Sequence, residues 1–213
     1  GNTAISIEEP FISRDGKFLF FNSAQSEGNK DLHFAELISS EWVYQDEIGP
    51  GINTNGEVQG NPTMDENNRF YWIESSTSSM ARSGTFDPDS GQISGLAEFG
   101  GIPDRVIDTV NDRLTGNMGV EGSSDGSFML FSRATWSFVN LQVESITGSD
   151  LLITFWSGSQ FIYDDAEAQR VMANINTSDL EYAASISSNG LELFFTRLLA
   201  SSLVSGPPRS MIM

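Results

Sequence analysis

The stretch PFISRDGKFLFFNS, residues 10–23, contains the pattern that decides the fold. A short strand-like segment leads into a polar Asp-Gly turn, and a strongly apolar segment follows it. Three further copies begin at residues 62, 120 and 184, and they read PTMDENNRFYWIES, VEGSSDGSFMLFSR and ASISSNGLELFFTR. Their turns lie roughly 52, 58 and 64 residues apart, so the chain is an array of one supersecondary unit with long connections.

The turn residues indicate hairpins. The four turns carry Asp-Gly, Asn-Asn, Asp-Gly and Asn-Gly at residues 15–16, 67–68, 125–126 and 189–190. These residue types tolerate positive φ, which predicts type I′ turns with both central residues in the left-handed region. The apolar segments behind the turns predict a core of eight side chains: Phe20, Phe21, Trp72, Ile73, Leu130, Phe131, Phe194 and Phe195.

Alternating segments between the repeats, such as DLHFAEL and LLITFWS, supply further strands. The sequence therefore predicts an all-β fold, a β-propeller of four blades in one domain over residues 1–213. The repeats lie near 4–50, 57–100, 115–160 and 178–213. Two connections, residues 103–114 and 164–175, carry early acids and helically spaced apolar residues, which predicts a short helix or helical turn in each.

The last repeat has only RSMIM after its apolar strand, which predicts an incomplete last blade. Three alternatives remain open: the natural protein continues beyond Met213, a partner chain closes the ring, or the N-terminal strand completes a four-bladed ring. We favour the first, a part of a ring with about five blades. An unpaired edge promotes association, so we also expect self-association through the incomplete blade.

The four copies resemble the TolB-like, or WD40-like, propeller repeat of bacteria. Its core is Pro, two residues, Ser-Pro-Asp-Gly and an apolar strand that ends near Ser. The residues that match are Pro10, Ser13, Asp15, Gly16 and Ser23, then Pro62 and Ser75, then Ser123, Asp125 and Gly126, then Ser187 and Gly190. No copy keeps the second proline. The resemblance implies a binding or interaction platform outside the cytoplasm, either periplasmic or secreted.

Charge and composition exclude several functions. The chain carries 29 acidic and 11 basic residues, a formal charge of -18 that repels the phosphates of nucleic acid. No apolar stretch is long enough to span a membrane. The absence of cysteine excludes disulfides and thiolate chemistry, and the one histidine, His33, is predicted to be an ordinary strand residue. The phosphate-loop and nucleophile-elbow motifs are also absent.

Polar residues cluster just before the repeat cores, where the family geometry places the mouth of a central channel. They are Glu8, Glu9, Gln59, Asn61, Asn117, Glu121, Glu181 and Tyr182. Convergent polar groups of this kind predict a site for a protein, peptide or carbohydrate ligand. The exposed aromatic candidates Trp42, Trp136 and Trp156 could stack on a sugar or a partner. We therefore predict a non-catalytic binding domain.

The alternative is a carbohydrate-active enzyme of the glycoside hydrolase type. Its carboxylates would be Glu9, Glu121 and Glu181, which must converge to within about 5–9.5 Å of one another. No cofactor is predicted. Calcium is the alternative, through the acidic turns at residues 65–68 and 87–91, although neither fits the twelve-residue EF-hand pattern.

Overall fold

The computed structural model describes residues 7–26, 29–49, 51–139, 142–199 and 210–212, with the backbone alone at 24–26, 142–144 and 210–212. Strands dominate this part of the chain, and its single helix has eight residues. No helix in the described ranges is long and apolar enough to cross a membrane. The chain divides into two compact units, residues 1–99 with 124–126 and residues 100–123 with 127–213.

The first unit contains two four-stranded antiparallel sheets, each a meander in chain order. The first sheet consists of β1 (Ile7–Ile12), β2 (Phe18–Ser26), β3 (Asn29–Ile38) and β4 (Glu41–Glu47). The second consists of β5 (Gln59–Met64), β6 (Arg69–Glu74), β7 (Ala81–Asp87) and β8 (Gln92–Glu98). Each sheet has the strand number and connectivity of one propeller blade.

The second unit continues the pattern. Its elements are β9 (Val106–Asp108), β10 (Arg113–Gly122), β11 (Phe128–Val139), β12 (Gln142–Trp156), β13 (Phe161–Ile162), α1 (Asp165–Met172), β14 (Leu180–Ile186), β15 (Leu193–Leu198) and β16 (Ser210–Ile212). Strands β10 to β13 pair in chain order, and β9 adds to the free edge of β10. Strands β14 to β16 form the last repeat, whose RSMIM segment supplies the predicted third strand.

All four repeat turns join the first strand of a repeat to the second, as predicted, but the type I′ assignment is wrong. Only the second residue of each turn pair has positive φ, at Gly16, Asn68, Gly126 and Gly190. Gly16 N donates to Ser13 O at 2.8 Å, so the turn begins at Ser13 and the left-handed residue follows it. A type I turn followed by a left-handed residue gives a longer hairpin loop than the predicted two-residue turn.

Side chains of the repeat motif satisfy the backbone of this loop. Ser13 Oγ donates to Asp15 Oδ1 at 2.6 Å and accepts from Phe18 N at 2.9 Å. The last repeat repeats both bonds, since Ser187 Oγ donates to Asn189 Oδ1 and accepts from Glu192 N. The Ser-x-Asp-Gly spacing therefore has a structural role at these turns, because polar groups that leave the strand ladder find local partners.

Gly126 is the turn glycine with the tightest surroundings. A Cβ there would overlap Arg69 Nη2 and Asp65 Oδ2, which form an ion pair, whereas a Cβ on Gly16 meets nothing within 4 Å. Both glycines have positive φ. We expect Gly16→Ala to cost about 1 kcal/mol from backbone strain alone, and Gly126→Ala to cost about 2–3 kcal/mol because the ion pair must also move. Urea unfolding of both variants tests this, and equal losses would contradict it.

The two predicted helices have opposite outcomes. Residues 164–175 contain α1, whose N-cap Asp164 accepts a hydrogen bond from Glu167 N at 2.9 Å. Residues 103–114 are not helical, and that prediction is wrong. Asp108 Oδ1 accepts from the backbone N of Val110 and Asn111, which closes a turn after β9. An Asp side chain that bonds its own following backbone competes with helix formation.

The core of the first unit lies between its two sheets. It comprises Phe18, Phe20, Leu32, Phe34, Ile48, Ile52, Met64, Phe70, Trp72, Phe86 and Ile93. Seven of the eight predicted core side chains are buried, and Phe194 is the exception at 47% exposure. Phe194 alternates with buried Phe195 along β15, so the two side chains project from opposite faces of the strand. Only one of those faces is covered.

Candidate functional site

Three of the predicted ligand residues occupy the same place in successive repeats. Each lies on the first strand of its repeat, opposite a residue of the second: Gln59 opposite Glu74, Asn117 opposite Arg133, and Glu181 opposite Arg197. The side chains of these pairs are hydrogen-bonded at 3.1, 3.2 and 2.7 Å. The three first-strand members have 0% exposure. This position therefore ties neighbouring strands together.

Glu181 is the most completely engaged of the three. Its Oε1 accepts from Thr177 Oγ1 at 2.6 Å and Arg197 Nε at 2.7 Å, and its Oε2 accepts from Thr177 N at 3.1 Å. Arg197 Nη2 also donates to Ile175 O at 2.6 Å. Burial, together with the nearby charge of Glu181, raises the pKa of Asp150. A buried carboxylate needs such partners, because desolvation of a charge is costly.

The side-chain amides of Asn117 and Gln59 are each hydrogen-bonded to one charged side chain and to one neutral group. Asn117 Nδ2 donates to Pro103 O at 2.8 Å, and Arg133 Nη1 donates to that same carbonyl at 3.2 Å. Gln59 Nε2 donates to Thr54 Oγ1 at 2.9 Å in addition to its bond with Glu74. Both amides thus anchor a connecting segment to a first strand.

Glu121 and Tyr182 lie in the second unit on β10 and β14. Glu121 is 5% exposed, and its Oε1 accepts from Ile186 N at 3.1 Å, which links the two strands. Tyr182 is half-buried and lies opposite Thr196 on β15. Of the predicted glycosidase carboxylates, Glu121 and Glu181 are thus buried in the second unit, and Glu9 belongs to the first.

Three further predicted residues, Glu8, Glu9 and Asn61, lie in the first unit and are at least partly accessible. Glu9 Oε2 accepts from Asn61 N at 2.8 Å. Glu8 Oε2 forms an ion pair with Lys30 Nζ at 2.6 Å, with side-chain exposures of 38% and 27%. Asn22 is fully buried, and in the amide orientation that satisfies it, Nδ2 donates to Glu8 O at 2.7 Å and Glu9 Oε2 at 3.2 Å. These five residues are here named the acidic bulge site.

Backbone bulges create this site. Glu9 and Asn61 have φ of 48° and 49°, and the pairing register shifts at both positions. Gly60 precedes Asn61, and a Cβ there would lie 2.7 Å from Glu9 Oε2, so a larger residue would displace this carboxylate. The register shifts at the matching place in the other two repeats as well, between Asn117 and Gly119 and between Tyr182 and Ser185, so the bulge belongs to the repeat and re-aims the side chains beside it. Glu9 is therefore exposed, while its carboxylate is held by the side-chain amide of the buried Asn22.

His33 is an ordinary strand residue in position but has a well-defined polar environment. It is 3% exposed in β3, with hydrogen bonds between Nε2 and Ser23 Oγ at 2.6 Å and between Nδ1 and Tyr44 Oη at 3.1 Å. Phe21 stacks on the ring at 5.5 Å. Burial lowers the pKa of His33, and the negative charges nearby, chiefly that of Glu47, offset the shift only in part.

This lowered pKa predicts an acid-sensitive fold. The folded state favours neutral imidazole, so the unfolded state binds more protons once the pH falls below about 6.5. We expect the free energy of unfolding to be full above that pH and to decrease as the pH falls below it. Because His33 is the sole histidine, its C2-proton NMR signal gives the folded pKa directly. His33→Gln should remove the slope, and a wild-type slope retained in that variant would contradict the assignment.

The acidic turns considered for calcium use their oxygens locally. Asp87 accepts from Ser90 Oγ at 2.6 Å and from Asp89 N at 3.1 Å, and Asp65 accepts from Asn67 N at 2.8 Å besides its ion pair with Arg69. Across the described residues, no group of three or more His, Asp or Glu side chains is arranged to hold a metal ion.

Sequence reasoning missed the partners that hold these sites. Lys30, Asn22, Glu74, Arg133 and Arg197 lie on second and third strands, away from the cluster that precedes each turn. A signal was available for three of them, since the partner follows its first-strand residue by 15 or 16 positions in each repeat. That spacing is fixed by the hairpin, and it identifies cross-strand neighbours once the turn is located.

Comparison with known proteins gives structural matches only. No family model and no curated protein matches the sequence. A thermostable family-43 glycoside hydrolase is similar with a TM-score of 0.54 at 12% identity, over 95% of this chain and 69% of that one. An α-L-arabinofuranosidase from Lactobacillus brevis is similar with a TM-score of 0.52 at 8% identity, over 99% and 71%.

The similar structures also include putative TolB from Agrobacterium tumefaciens, with a TM-score of 0.47 at 13% identity over 97% of this chain. The chain spans 61% of that protein and 41% of TolB from Acinetobacter baumannii. At such low identities the matches above a TM-score of 0.5 show the fold alone. They confirm the β-propeller fold that the repeats predicted.

Proposed function

We propose that the chain is a non-catalytic binding domain whose ligand site is the acidic bulge site. The supporting observation is the state of Glu121 and Glu181, which are 5% and 0% exposed and bonded to the protein itself. A glycosidase acid must reach the glycosidic oxygen, and its partner carboxylate must reach the anomeric carbon or a water beside it. Two strand-linking carboxylates could do so only by breaking the bonds that hold them.

The competing proposal is a carbohydrate-active enzyme, and its remaining support is Glu9. This carboxylate is exposed and lies on a strained bulge. Two similar structures are a glycoside hydrolase and an arabinofuranosidase, but one fold hosts many functions. Glu9 would need a second accessible carboxylate at glycosidase spacing. Glu8 is half-exposed but its Oε2 is already paired with Lys30.

The chemistry of the acidic bulge site indicates the ligand class. Glu8 and Glu9 present only acceptors when ionised, and the chain carries a formal charge of -18. Hydroxyl groups and ammonium groups complement such a surface, whereas anions are repelled. The proposed ligand is therefore a neutral or cationic polar molecule, either a carbohydrate or a peptide segment of a protein. The repeat resemblance supports a location outside the cytoplasm, which stays a prediction.

A thermal-shift panel tests this proposal. The probes are linear arabino-oligosaccharides, trilysine and calcium chloride, each added to the wild type, Glu9→Gln and the control Asp112→Asn, an exposed carboxylate of the second unit. A ligand at about 100 times its Kd stabilises the folded state by about 2.7 kcal/mol. We expect a raised unfolding midpoint in the wild type and the control, and a smaller rise in Glu9→Gln. A rise that Glu9→Gln retains in full, or no rise with any probe, would overturn the proposal.

A further inference from the structure

No strand among the described residues pairs with the outer edge of β4, the last strand of the first sheet. All seven residues of β4 are exposed, and the sheet order ends at this strand. Its inner edge pairs with β3 from His33 to Ile38. An unpaired edge offers backbone N–H and C=O groups to another chain, and natural proteins usually protect it with charge, proline or a covering element.

The middle of this edge carries large apolar side chains, with acidic residues at both ends of β4. Trp42, Val43 and Tyr44 are 40%, 40% and 47% exposed, and Leu37 and Ile38 beside them on β3 are 41% and 44% exposed. Leu37 lies directly opposite Trp42 in the pairing register. By the pairing register, Leu37, Trp42 and Tyr44 lie on one face of the two strands and Ile38 and Val43 on the other, so exposed apolar side chains flank this edge on both faces.

The turn between these strands is strained. Ser39 and Ser40 have φ of 51° and 72°, so both central residues of the two-residue loop are left-handed. Glycine or asparagine adopts this type I′ geometry easily, and serine does so at a cost. Strain of this kind persists where the surrounding structure or a function requires it. The turn holds Leu37 and Ile38 beside Trp42 and Val43.

Charge decides which occupant fits. Glu36, Glu41, Asp46 and Glu47 surround the apolar side chains, and none of them takes part in the ion pairs found among the described residues. A second copy paired symmetrically about Tyr44 would place Glu41 opposite Glu47, and like charges directly opposite are destabilising. Each copy would also bring a formal charge of -18. A partner with basic side chains avoids both the contact between like charges and the repulsion between two acidic chains.

The pleat places three of the four acidic side chains on the face opposite Trp42 and Tyr44, where Ile38 and Val43 accompany them, and Glu47 alone lies on the first face. Leu37 and Trp42 form one cross-strand pair, and the adjacent pair of Glu36 with Val43 points to the opposite face. Glu41 lies opposite Ile38 on that second face. An added strand with apolar residues on the first face and basic residues on the second would complement both.

We propose that the edge of β4 binds an extended segment of a partner protein in which apolar and basic side chains alternate. The segment adds a fifth strand to the first sheet, so main-chain hydrogen bonds provide affinity and alternate side chains provide specificity. This surface shares no residue with the acidic bulge site. The two proposals therefore succeed or fail separately.

The test uses two labelled synthetic peptides of about nine residues, one alternating valine with lysine and the other valine with glutamate. Fluorescence anisotropy measures binding, and hydrogen exchange locates it. We expect the valine–lysine peptide to bind at least tenfold more tightly, with slower exchange of the amides of β4. Equal binding of the two peptides, no binding of either, or protection elsewhere would overturn the proposal.

Variants separate the edge from the rest of the surface. The double replacement Glu36→Lys with Glu41→Lys should weaken the valine–lysine peptide about tenfold or more, and so should Trp42→Ser. Leu96→Ser, a matched change on the outer strand β8 of the second sheet, should bind as the wild type does. Circular dichroism checks that each variant folds. Unchanged binding in both edge variants contradicts the proposal, as does a dimer in light scattering whose protected amides are those of β4.

Discussion

Arg197→Ala lowers the free energy of unfolding by about 3–5 kcal/mol. The change leaves the Glu181 carboxylate at 0% exposure without the cation that bonds its Oε1 at 2.7 Å. It also removes the bond from Arg197 Nη2 to the carbonyl of Ile175. Urea unfolding followed by tryptophan fluorescence measures the loss.

A double variant supplies the control for this result. Replacement of both partners, Glu181→Gln with Arg197→Met, removes the two charges together, so it should cost much less than Arg197→Ala alone. A loss below about 1 kcal/mol for the single variant would mean that water reaches Glu181. That outcome would restore this carboxylate as a candidate for contact with a ligand.

Phe20→Ala is the second large effect, and we expect it to cost about 3–5 kcal/mol. Phe20 has 0% exposure and packs edge-to-face on Phe70 and Phe86, with ring centroids 4.9 and 5.0 Å away. Its loss leaves a cavity between the two sheets of the first unit. Val110→Ala, at a side chain that is 88% exposed, should change stability by no more than about 0.5 kcal/mol. Similar losses for the two variants would contradict the assigned core.

The repeats made most of the fold predictable, because the turn, the strand and the burial are all encoded locally. Ser13, Asp15 and Gly16 lie close enough in sequence to satisfy the same loop, and Phe18 to Phe21 follow at once. The predictions that were wrong depend either on tertiary packing or on a local side-chain hydrogen bond that competes with the predicted element. Phe194 has the same local pattern as Phe20, but only packing decides which face of its strand is covered. Residues 103–114 have helical spacing, yet a side-chain turn at Asp108 prevails.

The sequence indicated which strands carry the candidate residues but not how accessible those residues are. Gln59 and Glu181 lie at the starts of first strands, whereas Asn117 lies in the middle of β10 and Glu121 near its end. Whether each is buried depends on the residue opposite it, for example Arg197, and on connecting segments that bring Thr54 and Thr177 alongside. These contacts lie outside the motif. The position of the β4 edge likewise depends on the Ser39–Ser40 turn. This turn lacks the glycine or asparagine from which a type I′ turn is usually predicted.

The most direct measurement is a time course of arabino-oligosaccharide anomeric protons by NMR, with the wild-type protein present at a catalytic concentration. A binding domain returns the sugar unchanged, so the spectrum should match the protein-free sample throughout. New anomeric signals that grow with protein concentration and disappear in Glu9→Gln would contradict the binding proposal. That result would establish glycoside hydrolysis through the one exposed carboxylate among the three candidates.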